Sequence, residues 1–188
     1  NTSYGFVLGD YEKTLPVVID PLLASTFLRG TDADTSTSIA IDSSGNVYVA
    51  GNTKDTGTDL PVTSGAYDEL LNGSEDIFVS KFSSDLTSLS ASTYFGGSGI
   101  DDALAIAIDS SDNVFVVGWT EDDTTDLPVT SGAYDESHNG GIYDVFVSKF
   151  SSDLTSLSAS TFLGGGGIDY GLAIAIDSSD NVFVTGYT

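Results

Sequence analysis

The sequence predicts an all-β protein assembled from repeated four-stranded antiparallel units, and three observations predict it. The first is near-verbatim repetition. LPVTSGAYDE occurs at 60–69 and 127–136, SSDLTSLSAS at 83–92 and 151–160, and AIAIDSSDNVFV at 105–116 and 173–184, with a looser copy, SIAIDSSGNVYV, at 38–49. Asp42, Asp109 and Asp177 are equivalent, at spacings of 67 and then 68 residues, and a fixed period of this size marks a repeat architecture. The second is local: short β-branched and aromatic runs alternate with Gly, Asn, Asp and Ser clusters, without sustained 3.6-residue periodicity. The third is the choice of acid. Most acidic residues are Asp, which prefers turns and caps to helix interiors.

Residues 92–159 serve as the reference copy. Ser92-Thr93-Tyr94-Phe95 is a short strand that stops at Gly96-Gly97. Residues 103–108 form an apolar run too short for a helix. The cluster Asp109-Ser110-Ser111-Asp112-Asn113 then turns the chain into a third strand over 114–120, which makes a hairpin. Gly45 of the first copy stands where Asp112 stands in the second, so this turn position predicts a left-handed or near-bridge backbone. Residues 121–143 are a long polar connection, and Pro128 argues against a central strand there. DVFVSKF at 144–150 alternates cleanly: Val145, Val147 and Lys149 on one side, Phe146, Ser148 and Phe150 on the other. Four short up-and-down strands with Gly and aromatic punctuation describe a propeller-type blade, the rival being a sandwich or solenoid of stacked hairpin units. The expected division is an N-terminal strand segment over 1–24, repeat 1 over 25–91, repeat 2 over 92–159, and a partial repeat 3 over 160–188 that lacks its last strand. Two full repeats and part of a third are not self-closing.

Composition narrows the function. The 188-residue chain carries 28 Asp and Glu against 5 Lys and Arg, a net charge of −23, which makes nucleic acid and anionic lipid poor partners. Cys is absent, which excludes disulfides, thiolate metal sites and cysteine nucleophiles. No apolar run approaches the roughly 20 residues of a bilayer span, so membrane insertion is not expected. Asn1 is not an initiator Met, and the chain is expected to be a processed or excerpted piece.

Calcium is the cofactor that the Asp spacing brings forward, because hard cations collect carboxylate and carbonyl oxygens. Asp101, Asp102 and Asp169 sit, with Asp32 and Asp34, in equivalent Gly-rich loops. Asp109 with Asp112 and Asp177 with Asp180 flank equivalent turns. Turn capping is the competing role for the same side chains. Catalysis is not expected. His138 is the one histidine, it stands in a polar loop where the first copy has Leu71, and a solvated side chain is anticipated. The run Gly164–Gly167 lacks the following Lys and helix of a phosphate loop. Trp119, where the other copies have Asn52 and Tyr187, either packs between blades or stacks on a carbohydrate.

Several linked motifs recur in one order: STYFGGSGIDD at 92–102, AIAIDSSDNVFVVGWT at 105–120, LPVTSGAYDE at 127–136 and DVFVSKFS at 144–151. Through them the chain resembles the seven-bladed β-propeller repeat (SBBP-type) family of bacterial and archaeal secreted and surface proteins. The stretch 4–27 resembles the segment that precedes the first repeat in such proteins. The resemblance implies a propeller and an extracellular or cell-surface setting, and no particular activity. Two departures stand out: a longer period, with extra acids at Glu121-Asp122-Asp123, and fewer repeats than a ring needs.

Residues 4–8 and 15–19 are strand-like and belong to no repeat, while the last repeat lacks a strand. An unpaired edge is a template for strand addition, and a head-to-tail contact that does not close generates a filament. The sequence therefore predicts a non-enzymatic extracellular structural or adhesive protein. It would assemble with itself by strand complementation between Tyr4, Phe6, Leu8, Val17 and Ile19 at one end and Val182 and Val184 at the other. The alternatives are a carbohydrate- or protein-binding module of a larger surface protein, and a plain excerpt whose remaining blades follow residue 188.

Overall fold

The computed structural model describes residues 24–54, 60–121 and 126–188. Ten strands account for its regular structure: β1 (Asp34–Ile41), β2 (Val47–Thr53), β3 (Asp76–Phe82), β4 (Leu89–Phe95), β5 (Ile100–Ile108), β6 (Val114–Glu121), β7 (Asp144–Phe150), β8 (Leu157–Leu163), β9 (Tyr170–Ile176) and β10 (Val182–Tyr187). They form two four-stranded sheets, β1-β2-β3-β4 and β5-β6-β7-β8, and one two-stranded sheet, β9-β10. All pairings between these strands are antiparallel and up-and-down. These are open, propeller-type blades, as the sequence predicts.

Where one blade ends and the next begins differs from the sequence division. The SAST strand that opens each sequence repeat is the fourth strand of the preceding sheet: β4 pairs with β3 and β8 with β7. Among the described residues the last sheet therefore holds two strands, not three, and is two short of its neighbours. The physical reason is the linker. Gly96-Gly97 and Gly164-Gly165 carry the chain from the outer edge of one blade to the inner strand of the next, so the tightest sequence punctuation lies between blades.

Each inner hairpin carries the same irregularity. The register shifts between Ser36 and Ser38, between Ala103 and Ala105, and between Gly171 and Ala173, and a glycine lies opposite in every case. A Cβ on Gly51, Gly118 or Gly186 would stand 1.9, 1.8 or 1.8 Å from the carbonyl oxygen of Thr35, Asp102 or Tyr170. The bulge brings the backbones too close for any side chain.

The main core lies between the first two sheets. Tyr48, Ala50, Ile77, Val79 and Phe95 of the first meet Ala103, Ile106, Val114, Val116, Phe146 and Phe150 of the second. Phe95 packs edge-on against Phe146 at 5.7 Å and Phe150 at 5.2 Å. The DVFVSKF alternation holds in space: Phe146 and Phe150 face the first sheet, and Val145 meets Gly171 of β9. Each outer strand pair is pinned inside by a serine contact, Ser80 to Ser92 at 2.7 Å and Ser148 to Ser160 at 2.8 Å.

The long connections shield the outer edges. Thr63 N–H donates to Ser92 O and Tyr94 N–H to Asp68 O, while Ser92 N–H donates to the Thr63 hydroxyl. Thr130 and Asp135 repeat the pattern on Ser160 and Phe162. Proline-containing loops thus occupy the backbone groups of β4 and β8, a common defence of an exposed edge.

Candidate functional site

The aspartates nominated from sequence are shared among three structural tasks. Asp42, Asp109 and Asp177 each close a hairpin: the carboxylate accepts from the backbone N–H two and four residues on and from the following Asn side chain. In the complete sheets a lysine joins them, Lys81 at 3.1 Å from Asp42 and Lys149 at 2.8 Å from Asp109. Burial pushes Asp109 up, yet hydrogen bonds from Lys149 and Asn113 outweigh it and hold the carboxyl at about 2. Asp177 has Asn181 but no lysine among the described residues.

Asp112 and Asp180 clamp neighbouring blades. Asp112 accepts from Ser43 N–H at 2.9 Å and the Ser43 hydroxyl at 2.7 Å; Asp180 accepts from Ser110 N–H at 2.9 Å and the Ser110 hydroxyl at 2.6 Å. Both have positive φ, 62° and 61°, at the position where Gly45 has 82°, as the sequence predicts for this turn position. The partner serines were not singled out from sequence, although the D-S-S triplet repeats in all three copies.

The third group lies at the strand-start end of each blade. Asp101 accepts from Gly97 N–H at 2.8 Å and Asp169 from Gly165 N–H at 2.9 Å, tying down the glycine linkers. Beside each stands a buried carboxyl that sequence reasoning missed: Asp76, which accepts from Asn72 and Gly73 N–H, and Asp144, which accepts from Asn139 N–H. Asp76 and Asp101 both lie within 3.0 Å of where a Cβ on Gly96 would sit, and Asp144 and Asp169 within 3.0 Å of one on Gly164. Burial raises both Asp76 and Asp144, while the Gly165 N–H and then the Thr188 hydroxyl hold Asp169 down. The signal for these acids was their presence at the head of both DIFVSKF and DVFVSKF.

His138 lies close to this second pair and is not solvated: its side chain is buried against Phe162, with ring centroids 6.1 Å apart. Its Nδ1 accepts from Gly140 N–H and stands 3.9 Å from Asp144 Oδ2. A polar loop can bury a side chain when, as here, the loop folds back onto a strand. Among the described residues, no three His, Cys, Asp or Glu side chains are arranged to hold a metal ion. Asp101 and Asp102, adjacent in sequence, point to opposite faces of β5, which separates two of the nominated ligands.

The two junctions between blades differ at this end. At the first, Asn52 donates to Glu75, Lys54 lies 3.0 Å from Glu75, and Asp102 is pushed up to about 6 by burial and by the charge of Glu75. At the second, aromatic residues hold the places of Asn52, Glu75 and Asp102. Trp119 stacks on Tyr143 at 4.3 Å and Tyr170 at 5.7 Å, and Tyr170 on Tyr187 at 5.0 Å. Trp119 is therefore packed between blades.

The remaining candidate surface is the outer edge of β10, which no strand pairs among the described residues. Val182 and Val184 lie on β10 at the positions of the fully buried Val114 and Val116, yet Val182 is exposed and Val184 only half-buried. Phe183 is 58% exposed. An open cleft of about 400 Å³ runs between this sheet and β7–β8, lined by Val145, Leu163, Val184 and Gly186. Tyr4, Phe6, Leu8, Val17 and Ile19, the expected donors, lie outside the described residues.

Two four-stranded antiparallel blades followed by a two-stranded sheet define the class: an open propeller module built from repeats. The family model described as a beta-propeller repeat, SBBP, matches residues 26–57 and 92–123, the family that the motifs resemble. Each matched segment starts in fourth-strand sequence and runs through the first two strands of the next sheet. No curated protein matches the chain.

Proposed function

We propose that this chain is a non-enzymatic, extracellular structural or adhesive module that joins its neighbours head-to-tail through its incomplete terminal sheet. The observation that carries the reading is the contrast between edges. β4 and β8 are shielded by their own loops, whereas among the described residues β10 is paired on one side only and exposes apolar side chains, the template that strand addition uses. At the opposite end, residues 25–28 repeat the fourth-strand sequence of 92–95 and 160–163. Phe27 there is 90% exposed, whereas its counterparts Tyr94 and Phe162 are fully buried. Fourth-strand sequence at one end and a sheet short of strands at the other are complementary. The extracellular setting rests on the family resemblance. The burial of His138 against Phe162, within a shell of structural aspartates, supports a non-enzymatic role.

Negative-stain electron microscopy at low micromolar concentration tests the reading. Filaments or closed rings of many copies are expected, and a variant lacking residues 1–20 should assemble less well if that segment takes part. Single small particles at every concentration would sink it.

A further inference from the structure

One place in the blade junction is filled twice in this chain, once by polar side chains and once by aromatic rings, and the polar version leaves buried oxygens without donors. We infer that Asn52, Glu75 and Asp102 form a calcium site at the junction of the first two blades, a role independent of head-to-tail association.

The scaffold of the site is shared by both junctions. Glu75 forms a parallel bridge with Ile100, and Asp101 N–H donates to Glu75 O at 2.8 Å. These contacts pin Glu75 against β5, beside Asp102. In the next copy Asp169 N–H donates to Tyr143 O at 2.9 Å, so the backbone contact is kept and the side chains differ. Trp119, Tyr143 and Tyr170 replace Asn52, Glu75 and Asp102, and Glu121 replaces Lys54. Motifs such as LPVTSGAYDE are meanwhile copied verbatim. Blade packing therefore does not itself demand carboxylates at this place.

The polar version is rich in acceptors and poor in donors. Asn52 is 9% exposed, and its amide nitrogen donates to Glu75. Oδ1 of the same amide is buried with no hydrogen-bond partner. Asp102 Oδ1 is likewise buried and unpartnered, and Asp102 feels the charges of both Glu75 and Lys54. Buried oxygens left bare cost free energy. Two carboxylates and an amide carbonyl are the donors that a hard cation collects.

Two simpler occupants serve less well. A water molecule would satisfy the amide oxygen but would leave two carboxylates against one ammonium. That ammonium is Lys54, 3.0 Å from Glu75 Oε2. Its side chain is 57% exposed, so it can turn into solvent at little cost when a cation takes Glu75. Calcium fits better than magnesium. It accepts irregular sets of about six to eight oxygens and completes them with water, whereas magnesium demands a near-ideal octahedron.

Calorimetric titration of the whole chain with calcium chloride tests the site, in about 0.15 M monovalent salt to screen the acidic surface. One ion per chain is expected to bind, with a Kd on the order of 10⁻⁴–10⁻³ M. Asp102→Asn should weaken binding by about tenfold or more, through loss of a charged ligand. That variant stays folded, because it removes a charge that the fold disfavours. Lys54→Met should tighten binding severalfold by removing the competing cation, a gain that a merely structural ion pair would not give. Asp177→Asn, in an exposed turn of the last sheet, should leave binding unchanged. Magnesium should bind about tenfold more weakly or less. No binding, binding indifferent to Asp102, or weaker binding by Lys54→Met overturns the inference. Equal affinity for magnesium, or loss of binding in Asp177→Asn, overturns it as well.

Discussion

The junction between the first and second blades and the junction between the second and third are built from nearly the same residues, yet only one is complete. Both carry the Ser–Asp clamp, the carboxyl pair over a linker glycine and the glycine-faced bulge. At the first, Phe95 and Tyr67 are enclosed by Phe146, Phe150 and the turn at Leu154. At the second, Leu163 lines an open cleft and Tyr134 is bare. The difference teaches that the inner two strands set how blades align, whereas the outer two supply most of the apolar seal.

The largest expected contrast is in that seal. Phe95→Ala removes a fully buried ring from the closed junction and should cost about 3–5 kcal/mol in urea unfolding. Leu163→Ala, at the equivalent place in the open junction, should cost about 1 kcal/mol because the side chain is already part-solvated. Equal losses would mean the two junctions seal alike. Next in size, Tyr67→Ala should destabilise by on the order of 2 kcal/mol and Tyr134→Ala by less than about 0.5 kcal/mol; thermal melts of the pair decide it.

The polar end of the first junction gives a pH-dependent contrast. Asp102 has a folded pKa of about 6 against an ordinary 3.8, raised by burial and Glu75. Its charged form is disfavoured in the fold, so stability falls as pH climbs from about 4 to about 6. Asp102→Asn should therefore stabilise by on the order of 1 kcal/mol at pH 7–8, a figure reduced for solvent screening, and by nothing below pH 4. The same gain at pH 3.5 would rule out ionisation as the cause. Smallest is the clamp. Asp112→Ala should cost about 1 kcal/mol by losing the bonds to Ser43 and placing Ala at positive φ. Amide exchange should then speed up at Ser43 and not at Ser110. Faster exchange at both serines would show that the clamps are coupled.

Much of the strand pattern was legible because it rests on local chemistry. DVFVSKF alternates with period two, and the D-S-S-x-N turn offers a carboxylate to its own backbone while Gly or Asp stands where φ is positive. The blade boundary was not legible, because 89–95 looks like the start of a repeat and only the pairing with β3 assigns it to the sheet before. The nominated aspartates were recognisable as a recurring set, but their tasks were not, since Asp112 bonds Ser43 across 69 residues. His138 shows the same limit, as polar neighbours in sequence did not reveal Phe162 beneath it.

By itself the sequence determined the all-β class, the repeat, the hairpin turns and the faces of the strands, because these follow from side-chain period and local backbone preference. The assignment of strands to blades, and of aspartates to clamps or caps, belongs to the tertiary structure alone. Those depend on contacts between residues far apart in the chain, where near-identical repeat copies offer several equivalent partners and packing selects among them.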